Sequence, residues 1–581
     1  MIYRDNLRKA HILILVVIVT LIVFYPVLSA KLTGLDVRGL IMELNDPDNN
    51  YALKGLFLPN SVDRYYRPFL MLTFIADSKI WLLEPSGYHL TNYLLHASNA
   101  VLLFLIALRL LSQNSRGKYI ALVSTLLFSI HPVTCESVAW ISGRADMLGA
   151  FFSLLAFYIY LSHVKGKSLL VVLAVLLGLL SKENALAIIP MILIADFFLH
   201  YTKKQELKYS LRSTVVWLIV LSIPLITYLY VRMHGLSQLD HGIKTALSAD
   251  ASSENVVYST SLLFYVPAII AFYIKKLFLP FPLNFAIYRI SIPFYCSLFV
   301  LIVIMSGYLL AKKKYRCLVW LLLIIIAFLP AIPVATSKMA WTPFGERYLY
   351  LAVPVWALGM GMVIQHIEET MPNWVKYLSP VIIAIILLFS ITTFLRTLVW
   401  QDSLTLWADA YKKSPEFGKV LYKYGETLGG SKGLQYFRKA VEVAEDDDWK
   451  DFSLLALAEQ AKKDKDYAQA MDCIERAIQI KPTPEYYYTA ADMLKNMPAS
   501  TQEDRNRNIE KSIYYYEKAY EKNQDPFALL QIGSLHTRLA NYREAEFYFN
   551  EIITKSPSSR YAKHARSRLE RVKKELQQTQ G

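Results

Sequence analysis

The chain has 581 residues, 54% of them hydrophobic and 19% charged, and its mean hydropathy is positive, at +0.30. An ordinary soluble globule is excluded. The formal charge of +15 would suit nucleic acid, but much of it lies in short loops between apolar runs, where cytoplasmic retention of basic residues accounts for it, and no RNA- or DNA-binding motif is present.

In chain order, residues 10–400 hold repeated runs long enough to cross hydrocarbon, beginning with "AHILILVVIVTLIVFYPVLSA". That first run has no small-residue cleavage site and reads as a retained anchor. Arg4, Arg8 and Lys9 before it place the N-terminus in the cytoplasm. Spans then follow at about 10–30, 89–111, 118–130, 147–163, 168–180, 185–200 and 212–231. The segment 256–280 reads as interfacial rather than spanning, because only then does "KKKYR" at 312–316 stay cytoplasmic. Spans at 294–311, 317–334, 347–366 and 377–398 complete eleven and leave the C-terminal part outside. The first two external loops are 31–88 and 131–146.

Beyond residue 400 the composition turns polar, Tyr-rich and charged, with a connector over 401–450. Residues 451–484 place Leu454, Leu457, Ala458, Ala470, Ile474, Ala477 and Pro482 as a helix-turn-helix repeat of about 34 residues requires. Residues 526–559 repeat the scheme with Leu529, Ile532, Gly533, Ala545, Phe549 and Pro557. A copy with a lengthened turn lies between them, and a degenerate copy precedes them near 414–447. The expected fold is therefore all-α: a multi-spanning helical domain over 1–400, then tetratricopeptide repeats over 451–581 forming an α-solenoid with a peptide-binding concave face.

Ionisable groups at bilayer depth are expensive, so their default reading is a site. The topology lands an unusual set of them on the external side: Asp36 and Arg67 in the first loop, then His89, and then His131, Glu136, Arg144 and Asp146 in "HPVTCESVAWISGRADMLG". Lys182 and Glu183 in "SKEN" and Glu346 and Arg347 in "GERY" join them. Snorkelling or local salt bridges between the adjacent acid and base of "SKEN" or "GERY" are the plainer reading of these two pairs. Guanidinium groups fit phosphate through their planar fork, and a carboxylate can take a hydroxyl proton, so the set suits transfer of a head group from a lipid phosphate. Four cysteines, Cys135, Cys296, Cys317 and Cys473, stand far apart without a CxxC, which argues against a zinc site or a disulfide framework.

Several blocks carry a resemblance: "LDVRGLIMELNDPD", "YYRPFLMLTF", "GYHLTNYLLHASNAVLL", "HPVTCESVAWISGRADMLGAFFSLLAFYIYL", "LSKENAL", "GERYLYLAVP" and "VWQDSLTLWADAYKKSP". Their order resembles the transmembrane and tetratricopeptide-repeat O-mannosyltransferases of the wider GT-C fold, over most of 30–415 and the repeat tail. The resemblance implies a polyprenyl-phosphate sugar donor, a protein or glycan acceptor and inversion at the anomeric carbon. Asp36 stands where the family has its presumed base. Val37 follows it where the family often has a second acid, and Glu136 or Asp146 is the candidate substitute. Arg67, Arg144, Lys182 and Arg347 are the implied phosphate pocket, with Glu183 beside it, and His89 and His131 orient it or simply cap and pack helix ends. No ligand cluster calls for a metal, although some relatives of this fold use a divalent ion.

Two other readings stand beside this one. A lipid-linked polysaccharide ligase or polymerase also joins many spans to external repeats, and a membrane-anchored assembly scaffold needs no reaction at all. The chain has no Asn-x-Ser/Thr acceptor site, which favours a bacterial inner membrane with a periplasmic site over an endoplasmic-reticulum membrane with a lumenal one.

Overall fold

The computed structural model describes residues 2–33, 35, 37–46, 66–111, 116–202, 207–237, 259–336, 342–443 and 449–580. Asp36 lies outside them. Every regular element among the described residues is helical, as the apolar runs and the 3.6-residue patterning require. The chain divides into two units, Met1–Ala410 and Tyr411–Gly581.

Among the described residues of the first unit, six helices are long and apolar enough to cross a membrane: Lys9–Ser29, Pro85–Leu111, Glu183–Tyr201, Lys208–Met233, Ile292–Ala311 and Lys376–Val399. A seventh results if the pair Gly117–Ser129 and Pro132–Ala139, bent by 44°, counts as one span. The protein is thus a multi-pass membrane protein, but eleven spans are not reached by length and apolarity. Arg144–Tyr160, Lys167–Ser181 and Tyr315–Phe328 have only 17, 15 and 14 residues. At 1.5 Å per residue, a 15-residue helix covers roughly 22 Å of a hydrocarbon core about 30 Å thick.

The physical reason is that several helices are interrupted, and the interruptions are tight 3-10 turns: Pro132–Thr134, Ile141–Gly143, Glu183–Ala187 and Glu346–Leu349. Irregular backbone at such depth is tolerated only inside protein, where its polar groups find partners. They do. Asn92, fully buried, donates to the carbonyls of Trp140 (3.1 Å) and Ile141 (3.3 Å). His96 Nε2 donates to the Ser129 carbonyl (2.9 Å), so its Nδ1 accepts from the Tyr350 hydroxyl (2.7 Å), which also accepts from Asn99 (3.1 Å). The buried Asp196 carboxylate accepts from the hydroxyls of Tyr160, Ser213 and Thr214, at 2.7–3.1 Å.

Composition alone sets a boundary at residue 400, yet the first unit runs on to Ala410. Leu406 and Trp407 are buried, the Trp407 ring lying 5.2 Å from that of Phe285. The second unit is a row of helix pairs: Gly418–Leu428 with Gly430–Val443, Lys450–Lys463 with Tyr467–Ile480, Pro484–Asn496 with Gln502–Asn523, and Pro526–Arg538 with Tyr542–Lys555, closed by Arg560–Gln580. Side chains of Asp466, Thr483, Thr501 and Asp525 cap successive helix starts. Leu454, Ala458, Ala470, Ile474 and Ala477 fill one core cluster, and Leu529, Ile532, Ala545 and Phe549 fill another. Tyr486 donates to the fully buried Asp451 carboxylate at 2.7 Å, tying one repeat to the next. Burial and this bond to a carboxylate raise the Tyr486 pKa above its ordinary value.

The first pair of repeat helices approaches through glycine. A Cβ on Gly433 would stand 2.3 Å from the Gly425 carbonyl oxygen, which belongs to rigid helix backbone. Gly433→Ala is expected to cost about 1–3 kcal/mol despite the better helix propensity of alanine. Thermal unfolding of the full-length protein checks this, and an unchanged or raised transition contradicts it.

Candidate functional site

Two of the 3-10 turns, Glu183–Ala187 and Glu346–Leu349, carry ionisable side chains, and His131, Glu136 and Arg144 flank the other two, so a layer of helix-end charges is linked by the contacts that follow. Arg347 Nη1 donates to Glu136 Oε1 (2.6 Å) and its backbone N–H to Oε2 (3.1 Å). Its Nη2 reaches the hydroxyls of Thr342 (3.0 Å) and Tyr348 (2.9 Å). The guanidinium lies between two rings, 5.1 Å from Trp140 and 4.6 Å from Tyr348. Glu346 pairs instead with Lys276 at 2.6 Å, at the end of the helix Ser259–Phe278, and accepts from the Asn284 backbone at 2.9 Å.

Lys182 pairs with Asp146 at 2.6 Å, and Asn184 donates to the same carboxylate at 3.2 Å. The ammonium lies 5.8 Å from the Tyr348 ring, which links this pair to the Arg347 pair. Burial lowers the Lys182 pKa, the Asp146 carboxylate opposes that, and the positive fields of Arg67 and Arg347 add to it. Glu183 accepts twice from Arg67 through Oε2, at 2.8 and 3.1 Å. Its other oxygen stands 3.8 Å from Arg232. This cluster of two guanidiniums and one carboxylate is the most open part of the layer: Arg67, Glu183 and Arg232 side chains are 19%, 28% and 34% exposed.

The adjacent acid and base in "SKEN" and in "GERY" therefore do not pair with each other. Each finds a partner from a different segment, which makes these pairs cross-links between helix ends rather than local neutralisation. A buried pair of this kind contributes little net stability, but removing one partner strands the other at a cost of about 3–5 kcal/mol.

Arg144 takes a different place from the one expected beside phosphate. It is 0% exposed, pairs with Asp77 at 2.6 Å, and donates to Asn92 (2.8 Å) and the Tyr88 carbonyl (3.0 Å), with Phe74 beneath it at 4.5 Å. Its carboxylate partner is thus Asp77, while Asp146 serves Lys182. His131 Nε2 donates to the Leu277 carbonyl (3.0 Å) and its Nδ1 accepts from Val133 N–H (3.3 Å), which caps the turn Pro132–Thr134. His89 is buried, and neither ring nitrogen has a hydrogen-bond partner. Gly143 is required between these groups, because a Cβ there would stand 2.4 Å from the Ser137 carbonyl oxygen.

Sequence reasoning missed Asp77, Lys276 and Arg232. Asp77 carried a usable signal, since it sits in the otherwise apolar stretch "FLMLTFIADSKIW". Lys276 and Arg232 gave none, because a basic residue near the end of an apolar helix usually snorkels. Among the described residues no three His, Cys, Asp or Glu side chains come together so as to hold a metal ion.

No family model matches the chain. Curated proteins do. Protein O-mannosyl-transferase F38B6.6 of Caenorhabditis elegans is 28% identical over 378 residues, 63% of this chain and 51% of that protein. Protein O-mannosyl-transferase TMTC3 of Homo sapiens is 27% identical over 461 residues, 70% of this chain and 48% of that one. Protein O-mannosyl-transferase TMTC4 of Mus musculus is 24% identical over 65% of this chain and 58% of its own length. The chain is similar to protein O-mannosyl-transferases. It spans about half the length of these relatives, and they are the group that its sequence blocks resemble.

The geometry separates two kinds of arginine, and denaturation tells them apart. Arg144→Met leaves Asp77 buried without a counter-ion and is expected to lower stability by about 3–5 kcal/mol. Arg232→Met removes a loose, partly exposed contact and is expected to cost less than about 1 kcal/mol. Equal losses in thermal denaturation contradict this division.

Proposed function

We propose that the chain is a membrane mannosyltransferase that moves mannose from a polyprenyl-phosphate donor to a protein hydroxyl, on the periplasmic face of a bacterial inner membrane. The observation that carries this reading is the similarity, over 63–70% of the chain, to proteins named protein O-mannosyl-transferases. The layer of helix-end charges supports the donor chemistry. Arg67 and Arg232 both approach Glu183, and this partly exposed cluster presents two guanidiniums suited to a lipid phosphate.

The reaction is a single inverting displacement. The acceptor oxygen forms a bond to the anomeric carbon as the bond from that carbon to the phosphate oxygen breaks. The hydroxyl proton passes to the Asp36 carboxylate, and polyprenyl phosphate leaves with the bonding pair. Arg67 and Arg232 hold the departing phosphate, with Glu183 keeping both guanidiniums in place. Lys182 and Arg347, each matched by a carboxylate, Asp146 and Glu136, border the site without adding net charge. Arg144, fully committed to Asp77, Asn92 and Tyr88, holds the loop rather than the phosphate. The repeat unit presents the acceptor protein.

Transfer of radiolabelled mannose from polyprenyl-phosphate mannose to protein tests the reading. Asp36→Asn is expected to lower the rate by roughly 100-fold or more, the usual span for removing a general base, with the thermal transition and donor binding unchanged. Transfer that persists at the wild-type rate in Asp36→Asn removes Asp36 from the mechanism. An absence of transfer by the wild type, with an ordinary thermal transition, favours a scaffold.

A further inference from the structure

We infer that Trp140, Tyr273 and Tyr348, gathered around Arg347, form the subsite that receives the hexose of the donor, next to but distinct from the arginine cluster that takes its phosphate. This rests on the proposed donor and goes beyond it by assigning residues to the sugar.

The first observation is charge balance. Among the described residues, the cations around Arg347 are matched by carboxylates: Arg347 has Glu136 and Lys182 has Asp146, both at 2.6 Å. Glu346 and Lys276 are likewise matched at 2.6 Å. A neutral ligand suits this patch, whereas the Arg67–Glu183–Arg232 cluster offers two partly exposed guanidiniums and suits an anion. The two are neighbours, because Lys182 feels the charges of both Arg67 and Arg347.

The second observation is a surplus of donors. The Trp140 Nε1–H and the Tyr273 hydroxyl are both buried, and among the described residues neither has a hydrogen-bond partner. Tyr273 is fully buried, its ring held 5.4 Å from Phe328, and its oxygen lies in the field of Arg347, Tyr348 and Glu136. The Trp140 ring lies 5.1 Å from the Arg347 guanidinium carbon and the Tyr348 ring 4.6 Å from it. An unpartnered buried donor is costly, so its retention beside a charge-neutral site points to an acceptor that arrives with a ligand. Both Trp140 and Tyr348 are partly exposed, which leaves their rings accessible. A hexose brings acceptor hydroxyls for the two donors and C–H faces for the rings, with no charge to disturb the pairs.

The test compares two probes, farnesyl phosphate and its mannosyl ester, by equilibrium binding to the purified full-length protein. Tyr273→Phe and Trp140→Phe are each expected to raise the Kd of the mannosyl ester roughly 10-fold, the effect of one lost hydrogen bond, and to leave the Kd of farnesyl phosphate unchanged. Arg232→Gln is expected to weaken both probes alike. Tyr273→Phe removes only an unpartnered oxygen, so its thermal transition stays level or rises. Equal weakening of both probes by Tyr273→Phe, or no weakening of either, overturns the hexose subsite while leaving the phosphate site standing. A wild type that binds neither probe overturns the lipid-phosphate donor itself, and this subsite with it.

Discussion

Matched charge at helix breaks is the constraint on which the first unit depends. A helix that stops inside a membrane protein leaves backbone N–H and C=O groups without partners, and ionisable side chains placed there cannot be left bare. The chain meets both demands at once. The turns Ile141–Gly143 and Glu346–Leu349 are closed by the side chains of Asn92 and Glu136, and the charges of Glu183, Glu346 and Arg347 are matched from other segments. Glu136 shows the economy of the arrangement, since one carboxylate satisfies both the Arg347 guanidinium and the Arg347 backbone N–H.

The same pairing orders the groups by exposure. Arg144 with Asp77 lies fully inside, Arg347 with Glu136 lies nearly so, and Arg67 and Arg232 with Glu183 reach the surface. Desolvation makes the inner pairs rigid and unresponsive, while the outer cluster keeps water contact. The gradient also explains why an arginine in the middle of a conspicuous polar motif can be part of the scaffold of a site. Arg144 has its charged donors spent before any ligand arrives.

Much of this was legible from the sequence, for identifiable reasons. Hydropathy and the position of basic loops report on transfer to hydrocarbon, so they locate apolar helices and assign Glu136, Asp146, Lys182, Glu183 and Arg347 to related helix ends. The repeats were legible because Ala458, Ala470, Gly533 and Ala545 must be small where helices touch, and that need leaves a periodic trace. Pairing was not legible. Lys182 binds Asp146 and Glu183 binds Arg67 over 36 and 116 residues of intervening chain, and nothing in a single sequence reports which distant charge will be in reach. Length and apolarity do not by themselves yield eleven spans among the described residues, because several helices are broken at the site and are short.

The central claim is that these pairs bind helix ends together, and Glu136 with Arg347 is the clearest case, since the carboxylate meets both the guanidinium and the backbone N–H. A double-mutant cycle in thermal or chemical unfolding of the full-length protein tests it, using Glu136→Gln, Arg347→Met and the double variant. Each single change strands a buried charge or its partner, so each is expected to cost about 3–5 kcal/mol, and the double variant is expected to lose clearly less than the sum. Losses that simply add, within about 0.5 kcal/mol, mean that the two side chains act independently and contradict the account.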